Sequence, residues 1–119
     1  MSKGHIQVHV AETMEDIGVR AIDAWHRMER GMKVNEKHVS FATWETMVNV
    51  LSPERRALLR YVHQHPTKSI LVLAQALHRD HRRVHEDVEA LEAAGLLDRD
   101  GEGLHAEYDA FDVRMRVAL

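Results

Sequence analysis

Cationic side chains are concentrated over a short stretch in the second half of the sequence, where a helix is predicted to begin. Three arginines there are interspersed with two histidines and a glutamate: Arg79, His81, Arg82, Arg83, His85 and Glu86. A guanidinium group can donate two hydrogen bonds to guanine O6 and N7, or grip a phosphate in the same way. A helix start adds backbone N–H groups and partial positive charge towards phosphate. These residue types at this spacing are therefore suited to contact with nucleic acid.

Most clusters of charged residues are simply solvated surface, so the elements around this one decide how it is interpreted. Ser52-Pro53 is typical of a helix start, and that helix is predicted to run to about His65. Ser69 caps a second helix, in which Ile70, Leu73, Ala74 and Leu77 recur at helical spacing. After a break at residues 78–81, Asp80 caps a third helix whose apolar stripe is Val84, Val88 and Leu91, and Gly95 ends it.

A β-hairpin is predicted to follow, with one strand from Leu96-Leu97, a turn at residues 100–103 and one long return strand that includes Phe111 to Val117. The order of helix, helix, tight turn, helix and hairpin is typical of a winged helix-turn-helix. Ala74 is the small residue expected where the two helices of the motif pack. Arg82 and Glu86 lie opposite the apolar stripe and should face away from the core. The predicted DNA-contacting residues are Lys68, Ser69, Arg79, His81, Arg82, Arg83, His85, Glu86 and, on the hairpin, Arg99.

The first forty residues predict a separate strand–helix extension. Ile6, Val8 and Val10 alternate with polar residues, which is typical of a half-buried strand. Thr13 and Asp16 form a capping-box variant, and a helix with the apolar stripe Met14, Ile17, Ala21, Ala24, Trp25 and Met28 should end at Gly31. A loop is expected at residues 32–38, a very short strand at Val39 and Phe41, and a helix capped by Thr43. The fold class predicted is α+β, mainly α, as a winged helix-turn-helix with an N-terminal strand–helix extension; residues 1–42 are predicted to be a dimerisation region and residues 43–119 the DNA-binding domain.

Composition restricts the classes of function. The chain has 119 residues, a net charge of −3, ten histidines and no cysteine, so disulfides and thiolate-bound zinc are excluded. The negative net charge counts against nucleic-acid binding, although local charge can differ from the average. Residues 1–11 lack an apolar core of signal-peptide length, and no apolar run approaches the roughly 20 residues that span a bilayer. We expect a cytoplasmic protein that does not enter membranes.

Several spaced segments resemble short prokaryotic MarR-like winged-helix regulators. They include Leu51-Ser-Pro-Glu-Arg-Arg-Ala-Leu-Leu, then Ser69-Ile with Leu73-Ala74 and Leu77-His-Arg79-Asp80, and finally Val84-His85-Glu-Asp87-Val88 with Leu91-Glu92-Ala-Ala-Gly95-Leu96-Leu97. Ser40-Phe41-Ala-Thr-Trp-Glu-Thr-Met47 resembles a segment that precedes this domain in one such family. The resemblance covers about residues 39–119 and implies a DNA-binding regulator, in some members the antitoxin of a toxin–antitoxin pair. His78 departs from the pattern, because these proteins often carry glycine at the turn.

A metal-responsive repressor is the sharpest alternative. His78, His81 and His85 are spaced to share one helical face, and imidazole and carboxylate ligands suit Zn, Ni or Cu. The break after Leu77 interrupts that face, however, and no His-Glu-x-x-His pattern occurs. The sequence therefore predicts no cofactor and no metal site.

Other functions have weaker support in the sequence. The chain has no glycine-rich phosphate loop and no cysteine nucleophile, Ser52 and Ser69 are explained as helix caps, and Asp109 and Asp112 fit the alternation of a strand. We therefore expect no enzymatic activity. The expected partners are double-stranded DNA and a second copy of the chain, because paired half-sites gain avidity. A cognate toxin protein, bound without specific DNA readout, is the remaining alternative.

Overall fold

The computed structural model describes residues 4–31 and 37–117. Within them the chain forms an α+β fold of five helices and five strands. In chain order these are β1 (His5–Val10), α1 (Met14–Glu29), β2 (Lys37–Phe41), α2 (Trp44–Val50), α3 (Pro53–Gln64), α4 (Ile70–Leu77), α5 (His81–Ala93), β3 (Asp98–Asp100), β4 (Gly103–His105) and β5 (Ala110–Met115). No helix in these ranges is long and apolar enough to cross a membrane.

Side-chain caps explain where the helices begin, and they confirm the predicted starts. Thr13 and Asp16 exchange both bonds of a capping box, with the Thr13 hydroxyl accepting from Asp16 N at 3.1 Å. The other four helices have one capping side chain each, from Thr43, Ser52, Ser69 and Asp80. Gly31, at φ +77°, follows the end of α1 as expected. Of the loop expected at residues 32–38, residues 32–36 lie outside the described ranges, and Lys37 and His38 belong to β2.

The prediction of one long return strand in the hairpin is wrong. Residues 106–109 separate two shorter strands, β4 and β5, and only β4 pairs with β3 as an antiparallel hairpin. β5 instead joins β1 in parallel, with Val8 opposite Val113, and β2 lies parallel on the other side of β1, which gives the order β2-β1-β5. The alternation of Phe111, Val113 and Met115 was correctly assigned to a strand. A period of two cannot show which strand lies beside it.

One hydrophobic core joins the sheet to the helices. Ile6, Val8 and Val10 of β1 are almost fully buried and belong to the same cluster as Leu58 of α3 and Val88 of α5. The segments 1–42 and 43–119 therefore share a core and a sheet. In α1, by contrast, no residue is buried.

The hairpin β3–β4 is attached to the chain just before α4. Thr67 and Leu104 form an isolated antiparallel bridge, with Thr67 N donating to Leu104 O at 3.0 Å. Gly103 makes this close approach possible, because a Cβ at this position would lie 2.4 Å from Thr67 O and 2.8 Å from Lys68 Cα. Its φ of +120° is also a conformation that other residues rarely adopt. The bridge fixes the hairpin relative to the start of α4.

Replacing Gly103 with alanine is therefore expected to destabilise the protein by at least about 2 kcal/mol, since the new methyl group would meet backbone atoms and the backbone would be strained. Urea unfolding followed by circular dichroism measures this change. The matched control is Gly101→Ala, because nothing lies within 4 Å of a Cβ at Gly101 and its φ is not positive. Equal stability of the two variants would contradict the role assigned to the bridge.

Candidate nucleic-acid interface

Helices α4 and α5 pack against each other through their apolar faces and are joined by the three-residue turn 78–80. Leu73 and Ala74 of α4 and Val84 and Val88 of α5 are buried in this contact region. Ala74 is 3% exposed, at the position where the sequence predicts a small residue between the helices. The packing leaves the opposite face of α5 in solvent.

His78 occupies the turn in the left-handed conformation, with φ 54° and ψ 45°. Arg79 N donates to Ala74 O at 3.0 Å and His78 N donates to Gln75 O at 3.2 Å, which closes the end of α4. Histidine thus adopts the conformation that glycine would adopt more easily. The turn between α4 and α5 therefore forms with histidine at this position.

The exposed start of α5 carries several of the predicted DNA-contacting residues. Arg82 has 89% of its side chain exposed, and its Nε lies 3.6 Å from Glu86 Oε1. Arg83 and His81 are also exposed, and the Arg83 backbone N–H donates to the Asp80 carboxylate at 3.2 Å as part of the cap. Solvent competes strongly with an ion pair as exposed as Arg82–Glu86, so Arg82 remains available to a ligand.

Arg79 has a different environment from its neighbours. Its Nη2 donates to Asp87 Oδ2 at 2.7 Å, and Arg55 Nε donates to Asp87 Oδ1 at 2.9 Å. Arg55 Nη1 also donates to Asn49 O at 3.2 Å. Asp87 is a buried residue at 9% exposure, so this cluster of Arg55, Arg79 and Asp87 (the Asp87 cluster) ties α3, the turn and α5 together. The geometry favours a positioning role for Arg79 over the predicted DNA contact.

A cleft of about 670 Å³ opens beside the Asp87 cluster, between the starts of α3 and α5. Its lining contains four arginines and four carboxylates: Arg55, Arg79, Arg82, Arg83, Glu54, Asp80, Glu86 and Asp87. The arginines bonded to Asp87 are held in place, whereas Arg82 and Arg83 lie on its exposed side. The cleft is therefore of mixed charge, with its available cations on the α5 side.

The hairpin has less positive charge available to bind a polyanion than the sequence predicts. The Arg99 guanidinium donates to the Glu92 carboxylate of α5, and these hydrogen bonds raise the Arg99 pKa further above its usual value. Asp98, Asp100 and Glu102 make the hairpin acidic. A backbone N–H from Glu102, followed by the His105 ring, lowers the Asp100 pKa, so that carboxylate stays charged. Arg99 as a DNA contact stays a prediction that this geometry does not favour.

Lys68 and Ser69 lie where the sequence places them, at the start of α4. Both are exposed, and the Ser69 hydroxyl accepts from Val72 N at 3.2 Å as the helix cap. Since the bridge between Thr67 and Leu104 fixes the residue just before them, Lys68 has a defined position beside the hairpin. Lys68 is thus a further exposed cation next to the α4–α5 unit.

The histidines give no support to a metal site. Within the described ranges, no three histidine, aspartate or glutamate side chains are arranged to hold a metal ion. His81 and His85 are neighbours on α5, with ring centroids 6.3 Å apart, but His85 Nδ1 lies 3.3 Å from Glu89 Oε1. His78 lies in the turn and does not continue their helical face.

A second polar cluster, which sequence reasoning did not predict, lies where the parallel strands end. The Glu12 carboxylate accepts hydrogen bonds from Arg20 and Ser40, while His9 Nε2 lies 2.9 Å from His38 Nδ1. Burial, then the charge of Arg20, lowers the His9 pKa; for Glu12, burial raises the pKa but the bonds from Arg20 and Ser40 outweigh it and lower it. Nearby, the hydrogen bond from Arg116 lowers the Asp16 pKa to about 2. These contacts hold the polar side of α1 over the sheet.

Both clusters missed by the sequence join residues that are far apart in the chain. Asp87 and Arg55 are 32 positions apart, and Glu12 and Ser40 are 28 positions apart. The only local signal for the Asp87 cluster is an acidic residue beside Val84 and Val88 on the apolar stripe of α5. A carboxylate at a buried position needs a cationic partner, which indicates that such a partner exists without identifying it.

These features define a small α+β protein in which a packed helix pair presents an arginine-rich helix start to solvent. A family model described as HVO_A0114 matches residues 50–113, more than half of the chain, and the protein belongs to this family. The match runs from the end of α2 through α5 and the hairpin into β5. No curated protein and no solved structure matches the chain.

Proposed function

We propose that this protein is a sequence-specific double-stranded DNA-binding transcriptional regulator, a homodimeric repressor of the winged helix-turn-helix type. In this proposal, α4 and α5 are the helix-turn-helix, α5 is the recognition helix that enters the major groove, and β3–β4 is the wing. The protein works in the cytoplasm, where it meets DNA. The proposal depends on one observation above all, namely the exposed start of α5 with Arg82 and Arg83 on a helix that the Asp87 cluster holds in position.

Three features of the described residues support this choice. The start of α5 directs backbone N–H groups and the positive end of the helix dipole outward, where Arg82 and Arg83 extend into solvent. Lys68, just before α4 and beside the hairpin, adds a third exposed cation. The Asp87 cluster holds Arg79 away from this surface. It also links α5 to α3, and groove recognition requires a recognition helix that is held in a fixed orientation.

The distribution of charge restricts how the protein approaches DNA. The acidic hairpin would be repelled by phosphate, so the start of α5 and Lys68 carry the contact and the hairpin remains at its edge. A chain of net charge −3 gains no general attraction to DNA. Binding therefore depends on a few placed cations and on paired half-sites in a dimer.

Substitution of the two exposed arginines tests the proposal. Arg82→Ala and Arg83→Ala are each expected to weaken binding by about 1–3 kcal/mol per contact and to relax base preference at one position of the half-site. The operator is first selected from a random duplex pool with the full-length protein. Affinity and preference are then measured by fluorescence anisotropy on the selected site and its single-base variants.

Two control variants separate readout from general charge. Arg99→Ala, on the hairpin, should leave base preference unchanged, and Arg30→Ala, at the exposed end of α1, should leave both affinity and preference unchanged. Failure to select any duplex, or folded Arg82→Ala and Arg83→Ala variants with unchanged affinity and preference, would refute the proposal. Binding that appears only with stoichiometric Zn or Ni would favour the metal-responsive repressor instead.

A further inference from the structure

A small cavity lies between α3 and the starts of β1 and β5. Its volume is about 240 Å³. Ile6, Leu59 and Leu96 contribute to its lining and are almost fully buried, and Phe111 lines it as well. The cavity is thus an apolar space at the edge of the hydrophobic core, and it is accessible from the α3 side through exposed residues of that helix.

Two arginines of α3 also line this cavity, and neither has an anionic partner. Arg56 and Arg60 are exposed and lie one helical turn apart. Neither guanidinium group forms a hydrogen bond or an ion pair with any of the residues that the structure describes. Like charges four residues apart on a helix repel each other, so this pair destabilises α3 when no anion lies between them.

Cations on other helices of this chain are arranged differently. Asp23 lies four residues before Arg27, with its carboxylate 3.0 Å from the guanidinium, and Glu86 lies four residues after Arg82 at 3.6 Å. In both pairs an acidic residue occupies the position where α3 has its second arginine. The described chain therefore supplies no countercharge for the arginine pair of α3.

The carboxylate that lines the cavity is already engaged. Asp109 Oδ1 lies 3.1 Å from His63 Nε2, and His63 Nδ1 lies 2.6 Å from Ala106 O. The backbone N–H of Asp109 donates to Gly4 O at 3.1 Å. These contacts fix residues 106–109 against α3 as one wall of the cavity. Since Asp109 is the one carboxylate among the described lining residues, the lining has an excess of positive charge.

We propose that this cavity binds a small monocarboxylate with an apolar body, and that the carboxylate of the ligand lies between Arg56 and Arg60. Guanidinium groups donate paired hydrogen bonds to carboxylates, and here the anion also relieves the repulsion between the two arginines. The apolar body of the ligand packs against Leu59, Leu96 and Phe111 and removes their surface from water. This site goes beyond the proposed function and depends neither on DNA nor on a dimer.

The size and the lining of the cavity restrict the ligand. Liquid water occupies about 30 Å³ per molecule, so 240 Å³ accommodates about eight non-hydrogen atoms. Pockets for drug-sized ligands are larger, at about 300–1,000 Å³. A peptide or a nucleotide is therefore too large. Inorganic phosphate would satisfy the arginines but would leave the apolar wall in contact with water, so an organic acid is favoured over it.

An NMR titration of the methyl-labelled full-length protein without DNA tests the site. The probe is 4-methylpentanoate, which matches the size of the cavity, and we expect a dissociation constant on the order of 0.1 mM. It should shift the methyl signals of Leu59 and Leu96. The uncharged analogue 4-methylpentanamide has nearly the same shape and should bind at least about 10-fold more weakly. Acetate has the charge without the apolar body and should also bind at least about 10-fold more weakly.

Arginine variants test the position of the carboxylate. Arg56→Gln and Arg60→Gln should each weaken the binding of 4-methylpentanoate at least about 10-fold, while the affinity for the amide changes less than about threefold. The matched control is Arg30→Gln, which removes an exposed arginine at the end of α1 and should change neither affinity. Because all three positions are exposed, we expect the variants to fold, and circular dichroism checks this.

Three results would overturn the inference. They are the lack of any saturable shift up to about 10 mM 4-methylpentanoate, binding of the amide or of inorganic phosphate as tight as that of the acid, and unchanged affinity in the folded Arg56→Gln and Arg60→Gln proteins. Since the titration contains no DNA, a protein that binds the acid as expected but selects no duplex would refute the proposed function alone.

Discussion

Raising the salt concentration from 50 to 200 mM is expected to weaken the binding of the dimer to its selected duplex on the order of 1,000-fold. Each protomer offers Lys68, Arg82 and Arg83 as exposed cations at the proposed interface, so a dimer brings about six. Cations that neutralise phosphate charge, including arginines that read bases between the two phosphate backbones of the groove, release condensed counterions, and the logarithm of the binding constant then falls with the logarithm of salt with a slope of about −0.9 per neutralised phosphate. Fluorescence anisotropy over a salt series measures the slope.

The origin of that slope is tested with one lysine. Lys68→Ala removes two cations from the dimer and should make the slope shallower by about 2 while leaving base preference intact. Arg30→Ala removes the same number of charges from a surface outside the proposed DNA contact and should leave the slope unchanged. A slope near zero for the wild-type protein would contradict DNA binding through these residues.

Replacing Asp87 with alanine is expected to lower the free energy of unfolding by about 3–5 kcal/mol. The substitution removes the carboxylate that accepts from both Arg55 and Arg79, and it leaves two mostly buried guanidinium groups without their anion. Within the described residues, Arg79 Nη1 is already buried without a hydrogen-bond partner. Loss of the Asp87 carboxylate would add further unsatisfied hydrogen-bond donors at the same site. Urea unfolding followed by circular dichroism measures the change.

The neighbouring residue provides the control. Glu86→Ala removes a carboxylate whose partner Arg82 is 89% exposed, and it should change stability by less than about 1 kcal/mol. The triple variant Arg55→Met, Arg79→Met and Asp87→Leu should recover most of the loss, because apolar side chains of similar size remove the charges together. An Asp87→Ala protein as stable as Glu86→Ala would mean that the cluster does not hold α5 in place.

Local signals in the sequence were sufficient to predict the helices. Each capping side chain lies three residues before the backbone N–H it accepts from, and the apolar spacing of α4 and α5 depends only on neighbours along the helix. The exposure of Arg82 and Glu86 followed from the same periodicity. These features were predictable because each is determined within a few turns of chain.

Features that depend on distant partners were not predictable in this way. The alternation in β5 is equally compatible with a hairpin and with a parallel neighbour, and the structure has the latter. Amphipathicity in α1 indicates that one face should be covered but not by what, and here the polar side faces the chain. Arg79 and Arg99 were predicted as DNA contacts from their charge alone, whereas Asp87 and Glu92 bind them through the fold.

The parallel pairing of β1 with β5 determines the order in which the molecule can assemble. His5 lies opposite Ala110, so 104 residues separate the two partners along the chain. Closing so long a loop costs conformational entropy that the intervening contacts must already offset. Helices α4 and α5, joined by a three-residue turn, meet no such barrier. We therefore expect a newly made chain to form the α4–α5 pair early and to close the sheet that carries α1 only after β5 has been synthesised.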